Sequence, residues 1–397
     1  MKKRHVFFVS GYDPKGAAFY HDLYATQGSQ QAAISGYSID IGERKRCGKH
    51  VARWMVSWTQ DDMHVETTYD FLRWDDIMRQ YWPRGEFNML GVMARTYGRY
   101  ISTGVLWRVF KTAWPTFIAA IYPALFMTVM VISGILAVWL LACASLLAGL
   151  PWWFGGMVGI AVGWAIIETV GPWLDKTFGA QWLVRIYAFN ILQAARGIPQ
   201  LDERLDLFAE HVIEIRRSAD ADEILFAGHS TGAQTICDLM ARILARDPDF
   251  ARRGPAISLL TLGGSIPMLG WLPGTEWFKE VVSSIVKEEA VCWVDFTAAQ
   301  DGATFALQDP VGLLGLASNG EKPKVLSTKI FDLVMPENFR KKRHNWLYVH
   351  FHYMMASERP AGYDYFAITA GPMTLGERFA GRPSTKNFRR FSWGTGR

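Results

Sequence analysis

From Thr112 to Ile167 the chain has no Asp, Glu, Lys, Arg or His, a run of 56 residues. A core hairpin of a soluble protein has no need of such a length without charge. A bilayer span needs about 20 apolar residues, so two crossings are expected here. Cysteine is scarce. Cys47, Cys143, Cys237 and Cys292 are the only four, and no two form a C-x-x-C pair. A disulfide framework and a cysteine metal centre are therefore not expected, and a reducing compartment is the simpler reading. A cleaved signal peptide is not expected either. After Met1-Lys2-Lys3-Arg4 the apolar run covers only Val6 to Val9 before Ser10-Gly11-Tyr12-Asp13-Pro14. That is too short for the apolar core of a leader. There is no internal repeat and no low-complexity tract. The net charge of +5 suits anionic lipid headgroups but is too small to argue for nucleic acid, and no nucleic-acid partner is expected. What the chain has in plenty is apolar surface: half of its residues are hydrophobic and 17 are tryptophan, a residue common at membrane interfaces.

The uncharged run divides at Gly149-Leu150-Pro151 into a span near Phe117 to Leu147 and another near Trp152 to Trp173. The second carries Gly155, Gly159 and Gly163, a repeated G-x-x-x-G. Small residues on one face let a neighbouring helix come close in lipid. The facing surface is either the first span or a second copy of the chain, which would make a homo-oligomer. Glu168, near the end of the second span, is expected to snorkel to the interface. Arg95, Arg99, Arg108 and Lys111 precede the first span, and Lys176, Arg185 and Arg196 follow the second. Both flanks are thereby expected in the cytoplasm, with the hairpin dipping across an inner (cytoplasmic) bacterial membrane.

Beyond the hairpin, Gly228-His229-Ser230-Thr231-Gly232 reads G-x-S-x-G. Glu223 to Ala227 before it has strand character, and Ala233 to Arg246 after it has apolar residues at helical spacing. Strand, tight turn and helix form the context in which this motif presents a nucleophilic serine. His5 to Val9 reads as a buried strand entering a glycine loop. Ile34 to Ile41 and Val51 to Trp58 alternate and read as a hairpin. Tyr69 to Trp82 reads as a helix by its aromatic spacing. Gln181 to Gly197 and Leu201 to Ser218 read as helices, Ala256 to Leu262 as a strand, Thr275 to Lys287 as a helix, Ala290 to Phe296 as a strand, and Val325 to Met335 as extended. Strands alternating with helices predict an α/β fold whose mainly parallel sheet is covered on both faces.

A serine hydroxyl needs a base, and the base needs an orienting acid. The Ser230 elbow, the N-terminal strand and loop, the strand leading to Asp301 and a late histidine together resemble the α/β-hydrolase superfamily of serine hydrolases, in its lipase and esterase branch. The resemblance implies the chain order serine, acid, histidine. It implies a hydrolase domain in two parts, 1–111 and 175–373, interrupted by a transmembrane hairpin at 112–174 and followed by a basic aromatic tail at 374–397. Asp301 stands where the acid would fall, in the loop after Val291 to Phe296, ranked ahead of Asp295 and Asp309. The bland reading of each aspartate is a turn or cap. For the base, His350 is preferred over His352 and His344 because His350-Phe351-His352-Tyr353 looks like the triad-histidine segment of lipase-like members. His229 is adjacent to Ser230 in sequence, but the elbow is expected to aim it elsewhere. The resemblance places oxyanion donors at the N–H of Thr231 and in the Ser10-Gly11-Tyr12 loop, where many members carry His-Gly.

The expected activity is a membrane-anchored serine hydrolase cleaving an acyl ester, most plausibly of a lipid, through an acyl-serine. An acyltransferase on the same triad and an inactive scaffold are the alternatives. The expected partners are the lipid bilayer and that acyl-ester substrate. No cofactor and no metal are expected. After Glu377 the tail holds Arg378, Arg382, Lys386, Arg389, Arg390 and Arg397 with interleaved aromatics and no acid, and it reads either as a membrane-surface segment or as a solvated tail.

Overall fold

The computed structural model describes residues 1–218, 220–317, 322–343, 345 and 346–385. His344 and the tail from Lys386 onward lie outside the described residues, as do the expectations attached to them.

The chain begins with β1 (Lys3–Val9), then α1 (Ala17–Ser35), β2 (Ser38–Ile41), β3 (Lys45–Arg46), β4 (Val51–Gln60) and β5 (Met63–Leu72). Seven helices follow before the sheet resumes, the first six being α2 (Asp75–Gln80), α3 (Glu86–Ser102), α4 (Val105–Thr112), α5 (Trp114–Leu147), α6 (Trp152–Phe178) and α7 (Ala180–Ala194). After α8 (Pro199–Ser218) come β6 (Glu223–His229), α9 (Thr231–Arg246), β7 (Ala256–Leu262), α10 (Ile266–Gly270), α11 (Glu276–Lys287) and β8 (Val291–Thr297). The C-terminal part holds α12 (Pro310–Leu313), β9 (Lys324–Ser327), α13 (Ile330–Leu333), α14 (Pro336–Lys342), α15 (Trp346–Phe351), α16 (Tyr365–Ala370) and α17 (Leu375–Phe379).

Among the described residues, nine strands form one mixed, mostly parallel sheet in the order β2-β4-β5-β1-β6-β7-β8-β9, with β3 paired to β4. The six strands from β5 to β9 run parallel; β4 is antiparallel to β2, β3 and β5. The sheet therefore contains strands from both sides of the long helical insertion, and β1 lies beside β6, Val9 pairing with Gly228. Every residue of β6 is buried. Its neighbours alternate between two cores. Phe7, Phe226, Leu259 and Trp293 enter one, and Phe8, Ala227, Leu260 and Val294 the other. Burial on both faces explains why these strands read as continuous apolar runs.

Several elements differ from the sequence expectation. Tyr69 to Trp82 is not a helix. Its first part completes β5, where Val65, Thr67, Tyr69 and Phe71 share one buried face, and only Asp75–Gln80 is helical. A long antiparallel partner, β4, stabilises the extended form with ten paired positions. Ile34 and Ser35 end α1 rather than begin a strand; β2 starts at Ser38 and does pair with β4. The helix α1 has little apolar periodicity and buries Tyr20, Tyr24 and Gln31 along with alanines and a glycine. The stretch 325–335 is extended only to Ser327, after which α13 forms a single turn.

The insertion holds two helices long and apolar enough to cross a membrane, α5 and α6. Only 17% and 22% of their most apolar stretches are buried, and Leu125, Ile132, Trp139, Trp153, Ile160 and Trp173 stand exposed. The glycine stripe faces α5 of the same chain. A Cβ on Gly155 would strike the Leu141 carbonyl, one on Gly159 would strike the Val138 backbone, and one on Gly163 would lie 3.3 Å from Gly134 Cα. Of the two occupants expected for this face, the first span fills it, so Gly155, Gly159 and Gly163 are not free to seat a second copy. The segment after 374 does not begin as a free tail: Leu375 and Phe379 of α17 are buried against the sheet.

Candidate active site

The strand β6 ends at His229, and Ser230 follows with φ 57° and ψ −126° before α9 begins. A non-glycine residue rarely takes positive φ, because Cβ crowds the backbone; such strain persists where surrounding structure enforces it. Here Ser230 N–H donates to the Leu262 carbonyl at 2.8 Å, tying the turn to β7. The flanking glycines are required by close approach. A Cβ on Gly228 would lie 2.5 Å from the Gly232 carbonyl oxygen, and one on Gly232 would strike the Val9 carbonyl. The elbow is thus pressed against the end of β1.

The loop after β1 lies over the serine. A Cβ on Gly11 would fall 2.8 Å from Ser230 Cβ and 3.3 Å from its Oγ. Two indoles hold this loop: Trp74 Nε1 donates to the Ser10 carbonyl at 3.1 Å, and Trp182 Nε1 donates to the Tyr12 carbonyl at 2.8 Å. Tyr12 Oη donates to the Tyr81 carbonyl at 2.9 Å. Thr231 occupies the first position of α9, where a backbone N–H has no acceptor within the helix.

The acid comes from the loop after β8 and the base from α15. His350 Nδ1 and Asp301 Oδ2 are 2.8 Å apart, both side chains buried. Tyr353 Oη donates to the same carboxylate oxygen at 3.0 Å, so the His-x-x-Tyr spacing delivers two groups to one oxygen. Asp301 Oδ1 accepts from the Ala303 N–H at 3.0 Å, which fixes the carboxylate plane. Burial and the neighbouring carboxylate hold the Tyr353 phenol well above its usual pKa, so it stays a donor.

The other candidates go elsewhere. Asp295, inside β8, accepts from Thr261 Oγ1 and is fully buried; burial pushes its carboxyl up to about 7. Asp309 caps α12, accepting from the Val311 N–H. His352 is buried with neither ring nitrogen bonded among the described residues, and burial lowers its pKa to about 4. Ser230 and His350 instead line one small pocket, walled by Tyr12, Trp182, Ile186, Trp346, Leu347 and Phe351 together with Asp13 and Tyr20.

His229 was expected to point away, yet it also borders this pocket. Its Nε2 donates to the His350 carbonyl at 2.9 Å, and its ring centroid lies 4.8 Å from that of His350. Burial lowers its pKa to about 3, so it is a neutral donor that holds the His350 backbone. Trp74 and Trp182 were likewise not anticipated as supports of the loop. Their only trace in the sequence is the abundance of tryptophan. No group of three or more His, Cys, Asp or Glu suited to a metal occurs among the described residues.

Comparison with models of known protein families, with curated proteins and with solved structures returns no match.

Proposed function

We propose that the chain is a serine hydrolase of α/β-hydrolase type, anchored in a membrane by α5 and α6, that cleaves an acyl ester of a lipid. The observation that carries this reading is that His350, paired with Asp301, and Ser230, in its strained turn, line the same pocket. A structural ion pair has no need of a serine held at positive φ beside it.

In this reading His350 Nε2 removes the proton from Ser230 Oγ as that oxygen attacks the ester carbonyl, while Asp301 keeps Nδ1 protonated and steadies the imidazolium. The carbonyl oxygen becomes an oxyanion, received by the N–H of Thr231 and by the backbone of the Gly11–Tyr12 loop. Collapse of the tetrahedral intermediate breaks the ester C–O bond, and His350 returns its proton to the leaving alcohol. Water, deprotonated by His350, then attacks the acyl-serine, and the carboxylic acid leaves as Ser230 is regenerated.

Trp182, Ile186, Trp346, Leu347 and Phe351 offer an acyl chain apolar contact, while Asp13, Tyr20 and His229 add polar groups to the same wall. The exposed apolar surface of α5 and α6 supports a bilayer as the surroundings of this insertion. The basic residues on both flanks support the cytoplasmic side for the sheet domain. The test is labelling with a fluorophosphonate, which phosphonylates activated serines. Wild-type protein is expected to label and to hydrolyse short acyl esters, and Ser230→Ala is expected to do neither. A Ser230→Ala variant that retained wild-type hydrolysis would sink the proposal.

A further inference from the structure

The apolar hairpin touches the acid loop at one foot and the base helix at the other. In the opening turn of α5, Thr116 Oγ1 donates to the Thr304 carbonyl at 2.6 Å. Thr304 in turn belongs to the Asp301 loop: its N–H and its Oγ1 donate to the Asp301 carbonyl at 3.3 Å and 3.1 Å. Gln308 Nε2 donates to the Thr112 carbonyl at 2.8 Å, just ahead of α5. Gly302 lies against the same turn, where a Cβ would come 3.4 Å from the Pro115 carbonyl oxygen and 3.5 Å from Ala119 Cβ.

At the other foot, Phe178 ends α6, and its carbonyl accepts from Trp346 Nε1. Trp346 opens α15, which carries His350 one helical turn later on the same face. The Trp346 and His350 ring centroids are 6.3 Å apart. Tyr122 of α5 donates to the same Phe178 carbonyl at 2.7 Å, joining the two feet. An insertion that served only as an anchor would need none of these bonds.

We infer that the hairpin positions the acid and the base: α5 seats Asp301 through Thr116, and α6 seats His350 through Trp346. Thr116 is a positioning residue, Trp346 both positions His350 and lines the pocket, and the inference rests on the hydrolase reading above. The Thr116–Thr304 bond is buried, so removing the hydroxyl leaves a buried carbonyl without its partner and lets the loop relax. A shift of that loop moves Asp301 relative to His350 without altering the pocket wall, which does not include Thr116.

The experiment uses the full chain in phosphatidylcholine nanodiscs with a short-chain nitrophenyl ester. Thr116→Val keeps the shape and loses the hydroxyl. It is expected to lower kcat about tenfold with KM unchanged, as a small misplacement of catalytic groups does. It is also expected to remove or shift the downfield proton resonance of His350 Nδ1–H. Thr116→Ser restores the hydroxyl and is expected to restore both readouts. Ser145→Ala, at the hairpin tip where Ser145 Oγ meets the Pro151 carbonyl at 2.9 Å, is expected to match wild type. Trp346→Phe keeps an aromatic ring and loses the N–H; because Trp346 also lines the pocket its KM is free to change, and the expected readout is a lower kcat with the same shift of the His350 resonance, which stands in if Thr116→Val does not fold. A folded Thr116→Val variant with wild-type kcat and an unmoved resonance overturns the inference, as does a Thr116→Ser variant as impaired as the valine. A wild type inert to both ester and fluorophosphonate overturns the hydrolase reading and this inference together; an active wild type with an indifferent Thr116→Val overturns this inference alone.

Discussion

Ser230 holds a backbone conformation that costs about 1–3 kcal/mol, and three contacts around it show what enforces it. Leu262 accepts its N–H, Val9 leaves no room for a side chain at position 232, and Gly11 covers its Cβ. Gly11→Ala is therefore expected to displace the serine or the loop and to slow fluorophosphonate labelling strongly, with labelling at wild-type rate as the contrary result. The two buried aspartates separate just as sharply. On the proposed hydrolase reading, Asp301→Asn should lower kcat about 10⁴-fold, because an amide can no longer hold the imidazole in the required tautomer. Asp295→Asn should leave kcat near wild type, since an amide oxygen still accepts from Thr261. Asp295 also carries a pH signature. Its pKa is raised from 3.8 to about 7 by burial, so the folded state binds the extra proton between those values. Its contribution to stability is present below the unfolded value and is lost as the pH rises through about 7. Asp295→Asn removes that loss, so the melting temperature of the variant minus that of wild type should increase from pH 5 to pH 8. A difference that is flat or falls over this range would contradict the assignment.

At the scale of elements, α5 and α6 pack on glycine. Gly159 sits against the Val138 backbone, so Gly159→Val forces the helices apart, at a cost of about 1–3 kcal/mol for an overpacked contact. The expected readout is a lower melting temperature in detergent; an unchanged melt would mean the two helices do not need their close approach. The glycine repeat was legible in the sequence, but its partner was not, because a small-residue face is equally suited to a neighbouring helix or to another chain. Helix α1 and strand β5 mark the opposite case. The polar composition of α1 hides a buried face made by Tyr20, Tyr24 and Gln31, whose place inside depends on partners distant in sequence. In β5, aromatics spaced for a helix are overruled by ten pairings to β4, its hairpin partner across Asp61 and Asp62, which helical spacing alone does not register.

Across the whole molecule, one sheet binds segments from both sides of the helical insertion, so the apolar hairpin leaves and re-enters a folded α/β body. α5 and α6 leave a run of large apolar side chains exposed, among them Leu125, Ile132, Trp139, Trp153 and Ile160. The chain is expected to stay with the membrane pellet through high salt and alkaline carbonate and to enter the supernatant only with detergent. Release by carbonate alone would argue against spanning helices.

The sequence by itself determined the uncharged run, the strand–turn–helix around Ser230, and the central strands, because each is a local pattern of apolar spacing or absent charge. It also supplied the order Ser230, Asp301, His350, but left Asp295 and Asp309 open, since an aspartate after a strand can equally cap or turn. Only the tertiary structure sets them apart, by bringing Asp301 within 2.8 Å of His350, 49 residues further along the chain. It alone revealed His229 holding the His350 backbone, the two tryptophans under the Gly11 loop, and the feet of the hairpin on both halves of the acid–base pair. Those contacts link positions far apart along the chain, and no local pattern of residues encodes them.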